Sequence, residues 1–385
     1  MSARSTRNSP GGIYIHVPFC RRKCLYCSFY SVSDLTLKSS YVAALLDEIR
    51  RIAPLPFSFD TVYFGGGTPS LLDPKEIRAV LEELGSRFSI RPGPEITLEI
   101  NPGTVEAGRL KEYRSAGANR LSIGVQSFND RHLKTLGRMH TAKQAEAAVA
   151  SAMEAGFDNI GLDLIFCIPG QTKASFKEDL KKALSFKPDH LSCYQLTVEK
   201  GTPFEKEIAS GRIAMPGEKA SADLLETAFD DLTARGFLHY EISNYAASEE
   251  KISRHNSKYW SFAPYIGLGP SAHSYLPPKR RWNHADIDRY LEDIRDGKPP
   301  AAGEEILTVR QQMLEAIFLG LRTSAGIDIE RFEKMFGIVF SETFRVPIET
   351  LSSEGFLVFT GNRCRLTRKG LLLQESVVRY LVDSF

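Results

Sequence analysis

The sequence contains no apolar run that approaches the roughly 20 residues of a membrane-spanning helix, which argues against an integral membrane protein. It also has little net charge, because 49 Lys and Arg are balanced by 47 Asp and Glu to a formal charge of +2. With so small a surplus, bulk charge gives no reason to expect nucleic acid or an anionic membrane as a partner. Hydrophobic residues make up 42% and charged residues 25%, which excludes a largely disordered chain.

The first ten residues lack the apolar core of a secretory signal. They are rich in Arg and Ser and contain no acidic residue, so a short transit peptide stays open as an alternative. We expect residues 1–12 to be disordered and the protein to be cytoplasmic. The 385 residues exceed one small domain and suit a large barrel-type domain with a smaller one beside it.

Cysteine is scarce, yet three of the six cysteines, Cys20, Cys24 and Cys27, fall within eight residues. In a chain without a secretory signal, so tight a group indicates a metal or cluster site rather than a disulfide framework. Zinc would require a fourth ligand, and no Cys or His follows at zinc-finger spacing. A [4Fe–4S] cluster can be held by three thiolates, which leaves one iron for a non-protein ligand. Zinc and three unrelated thiols are the alternatives.

Strand and helix patterns alternate over the first two hundred residues. The predicted strands are Ile13–Val17, Thr61–Phe64, Ile96–Ile100, Leu121–Val125, Ile160–Ile165 and His190–Tyr194. Six strand–helix units predict a parallel α/β fold, either an open doubly wound sheet or a barrel. In both folds the active site lies at the carboxyl ends of the strands. Glycines at 65–67 and the side chains of Glu99, Gln126 and Asp163 fall at or near those ends.

The chain from Glu304 onward has the pattern of a separate small unit. The predicted elements are helices at Leu307–Leu321, Ile329–Phe336 and Thr343–Glu354, a hairpin with strands Phe356–Thr360 and Arg363–Thr367, and a helix at Gly370–Val382. Helices followed by a hairpin resemble a winged-helix module. Because no basic stripe is evident, we expect a structural or docking role rather than DNA binding.

The cysteine group resembles the signature of the radical S-adenosylmethionine (SAM) superfamily. Cys-x3-Cys-x2-Cys directly follows the first predicted strand, and Tyr26 precedes the third cysteine. The resemblance implies a partial (β/α)6 barrel with a [4Fe–4S] cluster on Cys20, Cys24 and Cys27. It also implies that SAM chelates the fourth iron and is the source of a 5′-deoxyadenosyl radical.

Further motifs are similar to the oxygen-independent coproporphyrinogen III oxidase family, over about residues 11–380. They lie at Tyr14–Cys20, Gly65–Pro69, Gly124–Phe128, Asp163–Ile165, Pro169–Thr172 and Tyr265–Ser274. The resemblance implies that SAM is bound by Tyr14, Tyr26, Gly66, Gly67, Thr68, Glu99, Gln126, Arg138, Asp163 and His273. The glycines would let the backbone approach a ligand closely, and no Gly-Lys-Ser/Thr follows them to make a phosphate loop.

Two departures from the oxidases point to the subgroup of haem chaperones called HemW. Phe29 stands where the oxidases usually carry a fourth cysteine, and only about a dozen residues precede Ile13, where the oxidases carry an extension. The segment 255–260 also matches the His-Asn-x-x-Tyr-Trp pattern of that subgroup. The resemblance implies that haem contacts His255, Asn256, Tyr259 and Trp260. Imidazole is a common ligand of haem iron, and aromatic rings stack on a macrocycle.

We therefore expect a radical SAM core at 13–240, a family-specific segment at 241–303 and a winged-helix-like domain at 304–385. The expected function is that of a haem chaperone that delivers haem to apo-haemoproteins, those of the respiratory chain in particular. The alternative is an enzyme, an oxidase that decarboxylates coproporphyrinogen III; a cluster-sensing DNA regulator is the third. We expect no nucleic acid partner and no transmembrane segment, and leave open a homodimer and a peripheral position at a membrane.

Overall fold

The computed structural model describes residues 9–104 and 107–383. Its main sheet is formed by β1 (Gly11–Val17), β2 (Phe59–Gly66), β3 (Ile90–Ile100), β4 (Arg120–Gln126), β5 (Ile160–Phe166), β6 (His190–Gln195), β7 (Leu238–Glu241), β8 (Asn244–Ala246), β9 (Tyr265–Leu268), β10 (His273–Leu276), β11 (Lys279–Asn283) and β12 (Ala301–Ile306). The spatial order is β12-β11-β10-β9-β1-β2-β3-β4-β5-β6-β8-β7. Pairing from β1 to β6 is parallel throughout, as the alternating sequence pattern predicts.

Helices join these parallel strands as crossover connections. The helices that precede the carboxyl-terminal unit are α1 (Lys38–Arg51), α2 (Pro74–Arg87), α3 (Ala107–Ala116), α4 (Asp130–Thr135), α5 (Ala142–Glu154), α6 (Lys173–Ser185), α7 (Pro203–Ala209), α8 (Glu218–Thr233), α9 (Arg254–Trp260) and α10 (Ile287–Arg295). Local chemistry sets their starts: Pro74 opens α2 behind a capping box of Asp73 and Glu76, and Thr141 caps α5. The partial (β/α)6 barrel is thereby confirmed.

The sheet extends further than the strand–helix alternation indicates. Strand β9 pairs in parallel with β1 on the side opposite β2, and β10, β11 and β12 add antiparallel strands beyond it. The first strand also begins at Gly11, so residues 11 and 12 belong to the sheet and the expected disorder of 1–12 does not extend to them. Residues 1–8 of that segment lie outside the described residues. The sequence pattern also predicts a helix over Val105–Ala116, and its first residue, Val105, lies outside the described residues too.

The carboxyl-terminal unit is mainly helical and has its own core. It consists of α11 (Val309–Arg322), β13 (Ile327–Asp328), α12 (Ile329–Phe336), α13 (Phe340–Thr343), α14 (Arg345–Ser353), β14 (Leu357–Thr360), β15 (Arg363–Leu366), α15 (Arg368–Leu372) and α16 (Gln374–Val382). Helices followed by a hairpin confirm the winged-helix-like pattern. Strand β13 completes a three-stranded sheet, and the final helix is divided at Leu373 rather than continuous.

Polar contacts join this unit to the barrel. The Arg322 guanidinium at the end of α11 donates to the buried Glu241 carboxylate at 2.6 Å and lies 4.6 Å over the Trp260 ring. Arg331 donates to the Ser261 carbonyl at 3.0 Å. The helix α9 is therefore packed between barrel and carboxyl-terminal unit. Within 9–104 and 107–383, no helix is both long and apolar enough to cross a membrane.

Candidate functional site

The carboxyl ends of β1 to β6 and the loops that follow them enclose a cavity of about 440 Å³. This volume lies in the range of small-molecule sites. Most of the residues predicted for the cluster and for SAM line it: Cys20, Cys24, Tyr26, Cys27, Gly66, Gly67, Thr68, Glu99, Gln126, Arg138 and Asp163. Parallel strands bring residues that are far apart in sequence to one edge, which explains the convergence.

Backbone hydrogen bonds position the cysteine loop after β1. The Cys20 amide donates to the Val32 carbonyl at 2.9 Å, and the Leu25 amide donates to the Leu136 carbonyl at 3.2 Å. The Leu25 carbonyl in turn accepts from the Phe204 amide at 3.0 Å. The loop between the first and third cysteine is thus tied to three separate segments.

The donor set of this loop fits an iron–sulfur cluster. All three cysteines carry free thiols, are partly exposed and border the same cavity. Thiolates are the usual ligands of [4Fe–4S] clusters, and three suffice when one iron takes an outside ligand. In the described part of the chain, no three His, Cys, Asp or Glu side chains are grouped to hold a single metal ion.

Arg138 places a positive charge beside Cys24. Its guanidinium donates to the Asn101 side-chain oxygen at 2.5 Å and to the Gly124 carbonyl at 2.7 Å, and lies 3.5 Å from the Cys24 sulfur. Its Nε is buried and, among the residues that the structure describes, has no hydrogen-bond partner. A buried unpaired donor is costly, so this atom suits the carboxylate of a bound ligand.

Two carboxylates that are far apart in the sequence, Glu99 and Asp163, line the same cavity. Glu99 accepts from the Tyr63 hydroxyl at 2.7 Å, and Asp163 accepts from the Ser122 hydroxyl at 3.0 Å. Burial, with a contribution from the charge of Asp163, raises the pKa of Glu99 to about 7. Burial also raises the pKa of Asp163. Both acids retain acceptor capacity for ligand hydroxyl or amino groups.

The glycine loop after β2 brings the backbone close to the cavity. Gly66 has a φ of +105°, which favours glycine. A Cβ on Gly67 would lie 2.6 Å from the Phe19 carbonyl oxygen, so no side chain fits there. The next residue, Thr68, accepts from the Asn101 side-chain amide at 2.9 Å and lies 3.6 Å from the Cys20 sulfur.

Several cavity residues escape prediction from the sequence. Alternate positions of β4 all border the cavity, so Arg120, Ser122 and Gly124 accompany Gln126. The two-residue period of a strand is the signal that would have found them. Asn101 follows β3 directly, and its position next to a strand end was the corresponding signal.

Two of the residues predicted to bind SAM lie away from this cavity. Tyr14 is within β1, where its hydroxyl lies 3.2 Å from His16 Nδ1 and its ring stacks on Tyr63 at 6.2 Å. His273 begins β10 and is exposed; its ring stacks on Trp282 at 6.1 Å. Neither side chain is part of the cavity lining. His273 lies outside it because β9 and β10 extend the sheet away from the cysteine loop, whereas Tyr14 packs on Tyr63, which does line the cavity.

The motif predicted to bind haem forms α9, which packs across the amino-terminal halves of β1 and β2. His255 is 1% exposed, its Nδ1 lies 2.9 Å from the Thr61 hydroxyl, and its Nε2 lies 2.9 Å from the Tyr259 hydroxyl. Its ring stacks on Tyr63 at 5.0 Å. Burial lowers the pKa of His255 to about 3, so the ring is neutral at pH 7. Both ring nitrogens are thus engaged within the protein.

The other three motif residues point to three different places. Asn256 borders the 440 Å³ cavity, whereas Tyr259 borders a second cavity beside the carboxyl-terminal unit. Trp260 lies under Arg322, and its buried Nε1 has no hydrogen-bond partner within the described part of the chain. The structure therefore does not bring the four residues together on one surface.

Comparison with known proteins bears on the fold of both parts of the chain. The family model "Radical SAM superfamily" matches residues 14–183, and "HemN C-terminal domain" matches 307–373. The chain is 36% identical over 383 residues to the haem chaperone HemW of Escherichia coli, covering 96% of this chain and 97% of the relative. It is 34% identical over 376 residues to HemW of Lactococcus lactis, covering 97% and 98%, and 38% identical over 385 residues to HemW of Synechocystis, covering 96% and 92%.

Among solved structures, coproporphyrinogen III oxidase (HemN) from Escherichia coli, a radical SAM enzyme, matches with a TM-score of 0.84. The match covers 100% of this chain and 92% of that one at 23% identity. This likeness concerns the fold.

Proposed function

Because the chain belongs to the HemW haem-chaperone family of the radical SAM superfamily, we propose that it binds haem and delivers it to apo-haemoproteins, chiefly of the respiratory chain. The observation that carries the proposal is similarity along nearly the whole chain to proteins named haem chaperones, at 34–38% identity in the three relatives described above. Both the barrel and the carboxyl-terminal unit fall within that similarity.

Cys20, Cys24 and Cys27 would hold a [4Fe–4S] cluster, and the cavity beside them would hold SAM. When bound and reduced, the cluster supplies an electron to the SAM sulfonium. The Arg138 Nε would donate to the SAM carboxylate, and this explains a buried donor without a protein partner. Asp163 would accept from ribose hydroxyls while Ser122 fixes its orientation.

Phe29 favours a chaperone over an oxidase. Its side chain is 63% exposed and borders the cavity that holds the cysteines. A phenyl ring at this position has no hydrogen-bond donor and no thiol that could take part in a reaction with a substrate. The resemblance to the oxidases assigns a fourth cysteine to the same position, so the chain lacks a thiol there that they usually carry.

Anaerobic turnover tests the proposal against the oxidase alternative. The chain would be reconstituted with iron and sulfide, then incubated with SAM, reductant and coproporphyrinogen III. Porphyrin products and 5′-deoxyadenosine would be followed by mass spectrometry. We expect no decarboxylated porphyrin, whereas haem added to the same protein binds and moves to an apo-cytochrome. Stoichiometric decarboxylation would identify an oxidase and overturn the proposal.

A further inference from the structure

A second cavity, of about 820 Å³, lies between the β9–β11 edge of the sheet and the carboxyl-terminal helices α11 and α16. Its walls are mostly apolar, and six of the lining side chains are aromatic: Tyr259, Phe262, Tyr265, Tyr275, Trp282 and Phe318. Aliphatic side chains of α11 and α16 complete it. Such walls suit a large, flat, apolar ligand, and the volume lies within the range of small-molecule sites.

An imidazole without a hydrogen-bond partner borders this cavity. Among the described residues, neither ring nitrogen of His273 has a hydrogen-bond partner, and the ring lies parallel to Trp282 at 6.1 Å and 24°. Imidazole ligates metals through a ring nitrogen. His255 differs, because protein hydroxyls lie within hydrogen-bond distance of both its nitrogens.

A buried polar group in the cavity wall also lacks a partner. Tyr275 is 3% exposed, and in the described structure its hydroxyl has no hydrogen bond. Its ring packs 4.7 Å from Phe262. Because buried hydroxyls are normally satisfied, this group marks a place where a ligand or an ordered water belongs.

We propose that the 820 Å³ cavity seats haem, with the His273 imidazole as ligand of the iron and the aromatic walls against the macrocycle. The inference rests on the proposed function and names its binding site. Arg280 is already paired with Glu305 at 3.1 Å and with Glu315 at 2.5 Å, and these carboxylates repel propionates. The propionates therefore extend to solvent, on the side where His273 and Phe318 are exposed. Haem held in this way is reachable by an acceptor protein.

Haem titration of the full chain with its cluster in place tests the ligand. We expect His273→Ala to weaken haem binding about tenfold or more and to abolish the nitrogen-ligated haem spectrum, with added imidazole restoring that spectrum. His284→Ala is the matched control, since His284 is partly exposed and lies outside the cavity. His255→Gln should keep the spectrum of the unsubstituted protein. Loss of the spectrum in His255→Gln with retention in His273→Ala would overturn the inference.

Binding of metal-free protoporphyrin IX tests the apolar walls of the 820 Å³ cavity independently of iron. Phe318→Asp should abolish binding, measured by porphyrin fluorescence, while His273→Ala retains it. Phe359→Asp is the control. Phe359 and Phe318 are equally exposed, at 39% and 38%, but Phe359 lies outside the cavity. If the unsubstituted protein binds haem and His273→Ala and Phe318→Asp bind it equally well, the assignment of haem to this cavity is wrong and the chaperone proposal stands. Absence of haem binding by the unsubstituted protein overturns both.

Discussion

The Nδ1 atom of His255 lies 2.9 Å from the Thr61 hydroxyl, which places this imidazole against β2 in the protein interior rather than on the surface. Glu95 anchors the same helix, because its carboxylate accepts from the amides of Arg254 and His255. The helix α9 therefore closes the amino-terminal end of the barrel. From there it contributes Asn256 to one cavity and Tyr259 to the other.

His255 should make the protein less stable in acid. The folded-state pKa is about 3 and the ordinary value is 6.5, so between these values the unfolded chain binds a proton that the folded chain does not. The free energy of unfolding therefore falls as pH falls below about 6.5, by at most about 1.4 kcal/mol per pH unit from this residue. Denaturant unfolding between pH 5 and 7 should show a shallower dependence in His255→Gln. An unchanged slope in that variant, or an equal change in the control His284→Gln, would contradict this.

Replacement of Cys20, Cys24 or Cys27 by Ala should abolish the brown absorbance of the reconstituted protein. The reason is that three thiolates hold a cluster whose fourth iron takes an outside ligand, so the loss of one thiolate leaves only two protein ligands. Iron and sulfide content per chain is the measurement. Cys364→Ala, in the carboxyl-terminal core, is the control and should retain full loading. Full iron and sulfide in all three variants would refute the assignment.

Gly67→Ala should lower both stability and SAM affinity. The added Cβ would lie 2.6 Å from the Phe19 carbonyl oxygen and 2.9 Å from that of Val17, so backbone must shift beside the cysteine loop. Gly85→Ala in α2 meets no atom within 4 Å and should stabilise the fold by up to about 1 kcal/mol. Denaturant unfolding and SAM binding of the two variants check this. If Gly67→Ala changes neither the free energy of unfolding nor the SAM affinity, the loop can accommodate the added Cβ and the prediction is wrong.

Asp163→Asn should weaken SAM binding by about ten- to a hundredfold, because a charged acceptor is replaced by a neutral amide at the cavity wall. Asp158→Asn is the matched control, since that side chain is 91% exposed and lies outside the cavity. Anaerobic equilibrium dialysis of SAM against the cluster-loaded chains gives both affinities. Equal SAM affinity of Asp163→Asn and the unsubstituted chain would remove Asp163 from the SAM site.

Arg322→Ala should destabilise the protein by about 3 kcal/mol, because it leaves the fully buried Glu241 carboxylate without its cationic partner. Arg212→Ala removes a solvent-exposed pair with Glu207 and should lower stability far less, because water screens exposed ion pairs. Denaturant unfolding compares the two. If the two variants lose a similar free energy of unfolding, the Arg322–Glu241 contact does not stabilise the junction between the carboxyl-terminal unit and the barrel. Glu241→Gln together with Arg322→Met should recover part of the loss.

Much of the fold was predictable because its signals are local. The strands from Ile13 to Tyr194 are short apolar runs that alternate with helices, and glycines and capping residues mark their ends. Strand β9 was not predicted, since Tyr265–Leu268 is brief and becomes a strand only by pairing with β1. Strand β13 has two residues and likewise depends on its partner β15. Neighbours far along the chain decide such elements, and no local pattern encodes them.

The sequence by itself determined the chemistry of the cysteine group and the edge of the sheet where it lies, because loop spacing and strand ends are properties of consecutive residues. Only the tertiary structure decided whether the ring nitrogens of His255 or those of His273 have hydrogen-bond partners among the described residues. His255 and His273 each have a tyrosine within the next four residues of the chain, yet His255 is enclosed by β1, β2 and α9 and His273 borders an open cavity. Burial and hydrogen-bond partners come from residues distant in sequence, and these determine whether a nitrogen is available to a ligand.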